Sequence, residues 1–172
     1  QTKLWTCGSA DTENDAPTPV NAVDEDKDGN LWIALVERGL MKWNEDSKSC
    51  VHHLFSPNDI TSVSNNTLMG VLIDSDNRLG AYTWGVGINE IDLNIPNNRT
   101  FKRYTCENIP ELEGDFINSA CEDMINHGIW FGSTRGVHFY DKRKDTFVRV
   151  LFDQSDNEFE AIYALLIDSK KR

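Results

Sequence analysis

Basic residues are scarce in this chain. Its 172 residues hold 17 Lys and Arg against 28 Asp and Glu, for a formal net charge of −11, so nucleic acid and anionic membranes lack the basic face they would need. The acid is spread through turns, as a solvated surface requires. No stretch of about 18 apolar residues occurs and none reads as a signal peptide; if the parent protein is exported, those segments lie outside this sequence. Cysteines are few and distant. Cys7, Cys50, Cys106 and Cys121 show no Cys-x-x-Cys or Cys/His spacing, which argues against a metal site, and they read as small buried hydrophobes in preference to disulfides. The histidines are His52, His53, His127 and His138. No Gly-x-Ser-x-Gly elbow, His-Glu-x-x-His pair or phosphate-binding glycine loop accompanies them, and Gly85-Val86-Gly87 is too short for one, so no catalytic residue and no cofactor is expected.

Helical periodicity is also missing. What recurs instead is a tryptophan-marked segment about every 48 residues, a period that points to the blades of a β-propeller. Full copies run from Val20 to Phe55, from Leu68 to Tyr104 and from Phe116 to Val150. Partial copies flank them: Lys3-Leu4-Trp5-Thr6 matches Asn30-Leu31-Trp32-Ile33, and Ala161 to Ser169 matches Val20 to Asp28. Val23, Val71 and Leu165 share a column, as do Asp26, Asp74 and Asp168, and Gly39, Gly87 and Gly136.

Within a copy, short stretches of alternating apolar and polar residues predict strands. The first copy divides into Val20 to Glu25, Leu31 to Leu35, Gly39 to Asn44 and Cys50 to Phe55, with hairpin turns at Asp26-Lys27-Asp28-Gly29 and Glu45-Asp46-Ser47-Lys48. The fold class is therefore all-β, a propeller fragment of four-stranded antiparallel blades. A single segment covers 1–172, with repeats at 1–19 (partial), 20–67, 68–115, 116–157 and 158–172 (partial). Such sheets must stack face to face, and Trp32, Trp130, Phe131 and Phe139 are the bulky residues expected between blades, with Trp5 in the same core role.

Roughly three and a half blades fall short of the 4 to 8 that usually close a ring. A piece of a longer chain, ending at the exposed Lys170-Lys171-Arg172, is the favoured reading. Closure of a four-bladed ring by the two partial copies, or pairing of two chains into a larger ring, are the alternatives.

Two motifs invite sharper readings. Asp24 to Gly29 matches the opening of an EF-hand loop, but Leu35 stands where the bidentate Glu belongs and the flanks are strands, so a hairpin turn whose carboxylates cap their own amides is expected, with no metal. The sialidase Asp-box departs in spacing, since Asp28 and Gly29 are adjacent. The copies resemble the two-component regulator propeller repeat. Its carriers here are Glu25 to Ile33 (EDKDGNLWI), Thr83 to Asp92 (TWGVGINEID), and Ile129 to Val137 (IWFGSTRGV) with Tyr140-Asp141. Gly80 replaces the expected Trp in the second copy, and Ala34-Leu35 replaces Gly-Thr in the first. The resemblance implies the periplasmic sensor region of a hybrid two-component histidine kinase of Bacteroides type. Its implied partners are an oligosaccharide, the rest of the parent sensor chain and a second copy in a homodimer. The kinase would lie outside this sequence, leaving these residues non-catalytic.

Loops joining the second and third strands, and those joining one copy to the next, share one propeller face. They offer Glu37, Arg38, Trp84, Thr134 and Arg135, with Asp59, Asn66, Asp115 and Asn118 from the inter-copy loops, as ligand-binding candidates. Trp84 sits beside two glycines in a loop, where its ring can stack on a sugar, while Arg38 and Arg135 can fork onto a uronate or sulfate. A propeller lyase or hydrolase drawing on His52, His53 and loop acids is the enzyme alternative. A protein-interaction platform is the third, and it calls for an exposed apolar face that the polar loop inventory disfavours.

Overall fold

The computed structural model describes residues 18–112, 116–150 and 161–168; Trp5, Cys7, Asp115 and the first partial copy as far as residue 17 lie outside them. Twelve strands and no helix are found among the described residues. The first blade is β1 (Val20–Glu25), β2 (Asn30–Leu35), β3 (Leu40–Asn44) and β4 (Ser49–His53); the second is β5 (Leu68–Ile73), β6 (Arg78–Thr83), β7 (Ile88–Asp92) and β8 (Lys102–Tyr104); the third is β9 (Ile117–Asp123), β10 (Gly128–Ser133), β11 (Gly136–Asp141) and β12 (Thr146–Val150). Each is a four-stranded antiparallel sheet in chain order. The first-blade strands begin within one residue of the expected positions, but β4 stops at His53, leaving Leu54 and Phe55 in the connection.

The first turn of each blade is built around one aspartate. Asp26, 6% exposed, accepts from the amides of Asp28 (3.0 Å) and Asn30 (2.9 Å), from Asn30 Nδ2 (2.9 Å) and from Trp32 Nε1 (2.9 Å). The carboxylates that resemble a calcium loop cap their own turn. No group of three or more potential metal ligands exists among the described residues. Asp123 repeats the arrangement, taking the amides of Ile125 and Asn126 (both 3.0 Å) and Trp130 Nε1 (3.1 Å). In the second blade Gly80 occupies the tryptophan column. Asp74 still caps its turn through the amides of Asp76 (3.0 Å) and Arg78 (2.9 Å), but its other oxygen receives Lys142 Nζ from the third blade at 3.1 Å. An indole partner has been exchanged for an inter-blade ion pair.

Two members of the glycine column have a steric cause. At Gly39 (φ 71°) and Gly87 (φ 82°), a Cβ would collide with the carbonyl oxygens of His53 and Tyr104, where the outer strand passes over the start of the third. Blades are also stitched at a shared β-bulge near the start of each inner strand, as at Val20/Ala22 and Leu68/Gly70. The Asn21 side chain donates to the carbonyl of Leu68 (2.7 Å), the first residue of the next inner strand. Asn118, a predicted ligand residue, occupies the same bulge in the third blade and donates to Ile162 (3.1 Å), whose own amide bonds Ser133 (2.8 Å). Ile162 therefore takes the place of Leu68, and the tail 161–168 lies where a fourth inner strand begins.

Two apolar clusters lie between the blades. Trp32, Val71, Leu79, Ile91 and Phe101 join the first to the second, and Tyr82, Ile117, Ile129, Phe131 and Phe147 join the second to the third. Trp32 and Phe131 are buried as expected. Trp130 and Phe139, 4.7 Å apart, are only half-buried on the outward side of the third blade. The cysteine reading needs correction: Cys50 is disulfide-bonded and half-buried, Cys106 is exposed, and Cys121 is a half-buried thiol, so none is a buried hydrophobe.

Two stability measurements follow from this architecture. Asp26→Ala strands the Trp32 indole and the Asn30 amides inside the hairpin and costs about 2–4 kcal/mol in urea unfolding with an unchanged slope. Gly80→Ala has room, its added Cβ meeting nothing nearer than 4.0 Å, and stabilises by about 0.5–1 kcal/mol through reduced unfolded-state entropy.

Candidate functional site

The loop face is held by short ties between the two kinds of loop. The amide of Gly39 donates to Asn66 O (2.8 Å), that of Glu37 to Thr67 Oγ1 (3.3 Å), that of Trp84 to Thr67 O (3.0 Å) and that of Thr134 to Phe116 O (3.1 Å). Asn66 also accepts from the Phe55 amide (2.7 Å), and Asp59 closes its own turn on Thr61. Glu37 is exposed with φ 61°. Arg38 and Arg135 are exposed and have contacts of their own. The structure thus brings Glu37, Asn66 and Trp84 around Thr67, places Thr134 and Arg135 on the next blade, and gives Asn118 to the blade joint.

Trp84 is the most exposed tryptophan described, at 55%, and its ring meets Phe116 edge-on at 5.4 Å and 87°. Phe116 also lies against Gly85. Trp84 is therefore presented to solvent and steadied from one side. Leu54, Phe55 and Phe116 are exposed in the same inter-copy connections, so this side is less polar than its loop inventory suggests.

A cavity lies at the other end of the strands. A cleft of about 430 Å³ opens between the first and second blades, floored by Trp32 and His53 and walled by Lys42, Asn44 and the connection holding Arg99. Lys42 Nζ stands 5.3 Å over the Trp32 ring and 3.8 Å from Asp26. The far wall is the β7–β8 connection, nine residues from Leu93 to Phe101 where the other two blades use four. It is anchored by the amides of Leu93 on Asn77 O (3.1 Å) and Phe101 on Thr61 O (2.8 Å), and Lys27 reaches across to Asn94 (2.8 Å). Sequence reasoning missed this site. Its one signal was the extra length of Ile95 to Thr100, which sets the second copy apart.

His53 is not poised for acid–base chemistry. Its ring stacks on Trp32 (5.5 Å) and meets Phe101 edge-on (5.3 Å). Burial first, then the charges of Arg99, Lys42 and His52, press its pKa down to about 4. His52 is exposed on the alternate face of β4. The two histidines therefore do not share a site.

This depressed histidine sets a pH dependence. The unfolded chain takes up a proton near pH 6.5 that the folded chain refuses until about pH 4, so stability present above pH 6.5 is lost as pH falls through that window, by roughly 3 kcal/mol. His53→Phe keeps the aromatic stack and removes the loss. Urea midpoints at pH 7 and pH 4.5 should differ clearly for the parent and much less for the variant.

No family model and no curated protein matches the chain. Solved structures do. The extracellular domain of a protein described as a hybrid two-component system from B. thetaiotaomicron has a TM-score of 0.70 at 18% identity, over 86% of this chain and 20% of that one. PorZ, a surface component of the type-IX secretion system of Porphyromonas gingivalis, has 0.65 at 16%, over 98% and 26%. Virginiamycin B lyase from Staphylococcus aureus, with quinupristin, has 0.59 at 16%, over 80% and 43%. The chain spans between a fifth and under half of these proteins. The likenesses show the fold: this chain is a run of β-propeller blades, of the architecture found in the extracellular domain of a two-component system.

Proposed function

We propose that this chain is the ligand-sensing propeller segment of an extracytoplasmic sensor, recognising an oligosaccharide on its loop face and passing the signal to a histidine kinase elsewhere in the parent protein. The observation that carries this reading is Trp84, whose ring is 55% exposed and braced by Phe116. Aromatic faces stack on the apolar face of a sugar at little entropic cost, because the ring is already fixed. Glu37 and Trp84 are both tied to Thr67, next to Asn66, by their backbone amides, so Glu37 and Asn66 would supply polar side chains for hydroxyls and Arg38 and Arg135 charge at the rim. The likeness to a two-component extracellular domain supports the same reading, as does the disulfide at Cys50, a bond suited to an oxidising compartment. Signalling then requires only that ligand favour one arrangement of the parent dimer over another.

The lyase likeness keeps catalysis as a competing reading. A thermal-shift screen against neutral, uronic and sulfated oligosaccharides, followed by mass spectrometry of each sugar, separates the two. Sensing predicts stabilisation with the sugar intact; a cleaved sugar would assign an enzyme instead. Trp84→Ala should leave the melting temperature of the unliganded protein within about 2 °C while weakening sugar binding at least tenfold.

A further inference from the structure

The groove between adjacent blades occurs twice in this molecule, and its two copies are filled differently. Between the second and third blades it is lined by Asp76, Arg78, Asp92, Tyr140 and Lys142. Every cation there is neutralised: Lys142 binds Asp74 (3.1 Å), Asp76 (2.7 Å) and Glu122 (2.7 Å), and Arg78 binds Glu90 (3.2 Å). Between the first and second blades the pattern is broken. Arg99 has no carboxylate within 4 Å among the described residues, and the nearest to Lys42 is Asp26 at 3.8 Å, already committed to its turn and to Trp32. In a chain with 28 acids and 17 bases, an arginine with no ion pair among the described residues beside a lysine whose one carboxylate stands at 3.8 Å needs a reason.

We infer that the cleft between the first and second blades is a ligand site in which Lys42 and Arg99 hold a single carboxylate or sulfate group carried on a hydroxylated frame. The volume of about 430 Å³ falls within the range of small-molecule sites. The two cations come from different blades, Lys42 from β3 and Arg99 from the long β7–β8 connection, so an anion bound between them bridges the blades. Arginine presents a planar fork to such a group and lysine a point charge. The field at His53 agrees, since Arg99 and Lys42 both disfavour its protonation. Asp28 and Asn97 line the same cleft with side chains that make no hydrogen bond among the described residues. They suit hydroxyls of the frame, and the Asp28 charge disfavours a second anionic group. The site is on the opposite side from Trp84 and stands or falls separately from it.

Isothermal titration of the intact chain with digalacturonate, galactose 6-sulfate and neutral galactobiose tests this. The anionic sugars are expected to bind more tightly than galactobiose, and Arg99→Gln and Lys42→Gln each to weaken them by about tenfold without moving galactobiose. Arg99→Lys should recover part of the loss. The digalacturonate and sulfate arms tell which anion the cleft takes. Anionic sugars that bind no better than galactobiose, or that bind equally to the Arg99→Gln protein, would overturn the inference. Anion binding lost in Trp84→Ala but kept in Arg99→Gln would also overturn it, while leaving the loop-face reading intact. Absence of binding by all three sugars overturns the cleft, and the wider oligosaccharide screen then decides the loop face alone.

Discussion

A buried carboxylate at the first hairpin of each blade is the interaction on which the rest depends. Asp26 and Asp123 each gather turn amides and a tryptophan indole onto one side chain, so one residue closes the hairpin and also fixes the ring that packs on the blade's outward face. Charge-assisted hydrogen bonds of this kind are stronger than neutral ones, and their loss leaves several buried donors unmet. That arrangement joins local turn chemistry to stacking between blades. With the tryptophan held, the sheets have a defined surface to stack against, and the Asn21 and Asn118 ties set the register of each blade on the next.

The second blade shows what happens when half of this device is missing. With Gly80 in place of the indole, the interface to the third blade holds a small cavity of about 20 Å³, lined in part by Tyr104, Tyr140 and Phe147, beside a groove of about 320 Å³ lined by Asp76, Arg78, Asp92 and Lys142. Polar contacts take up the rest. Tyr104 and Tyr140 meet at Asp145 (3.3 and 2.9 Å), while Lys142 gathers three carboxylates. Both interfaces keep a groove, about 320 Å³ here and about 430 Å³ in the first, but the cations of this one are paired with carboxylates, whereas the first is floored by Trp32 and His53. The difference between two copies of one groove is therefore a difference in which column carries an indole and how long one connection is.

Much of the fold was legible because its signals are periodic. Apolar alternation, the aspartate and glycine columns and the 48-residue repeat point to the strand order, and Asp26, Asp74, Gly39 and Gly87 each have a physical cause in the structure. Turn chemistry also reads correctly at Asp26, whose carboxylate caps its own hairpin. The site was less legible. Trp84 could be placed on a loop, but its brace, Phe116, comes from the next copy and has no repeat signal. Asn118 read as a loop residue because a bulge cannot be seen in one sequence. The cleft lined by Lys42 and Arg99 escaped because its two walls come from different copies and meet only in space. Cys50 misled since a disulfide partner is set by distance in space and not by spacing in sequence.

Tryptophans from equivalent repeats are held differently: Trp32 is clamped inside the fold, and Trp84 is presented to solvent, as the proposed sensing role requires. Hydrogen exchange at their indole nitrogens tests this difference directly. The Trp32 indole proton, donated to Asp26 at 2.9 Å in a side chain 2% exposed, should exchange only through opening of the blade interface, orders of magnitude more slowly than the Trp84 indole, which should exchange close to the solvent-limited rate. Comparable rates for the two, or a Trp84 indole protected as strongly as that of Trp32, would contradict it.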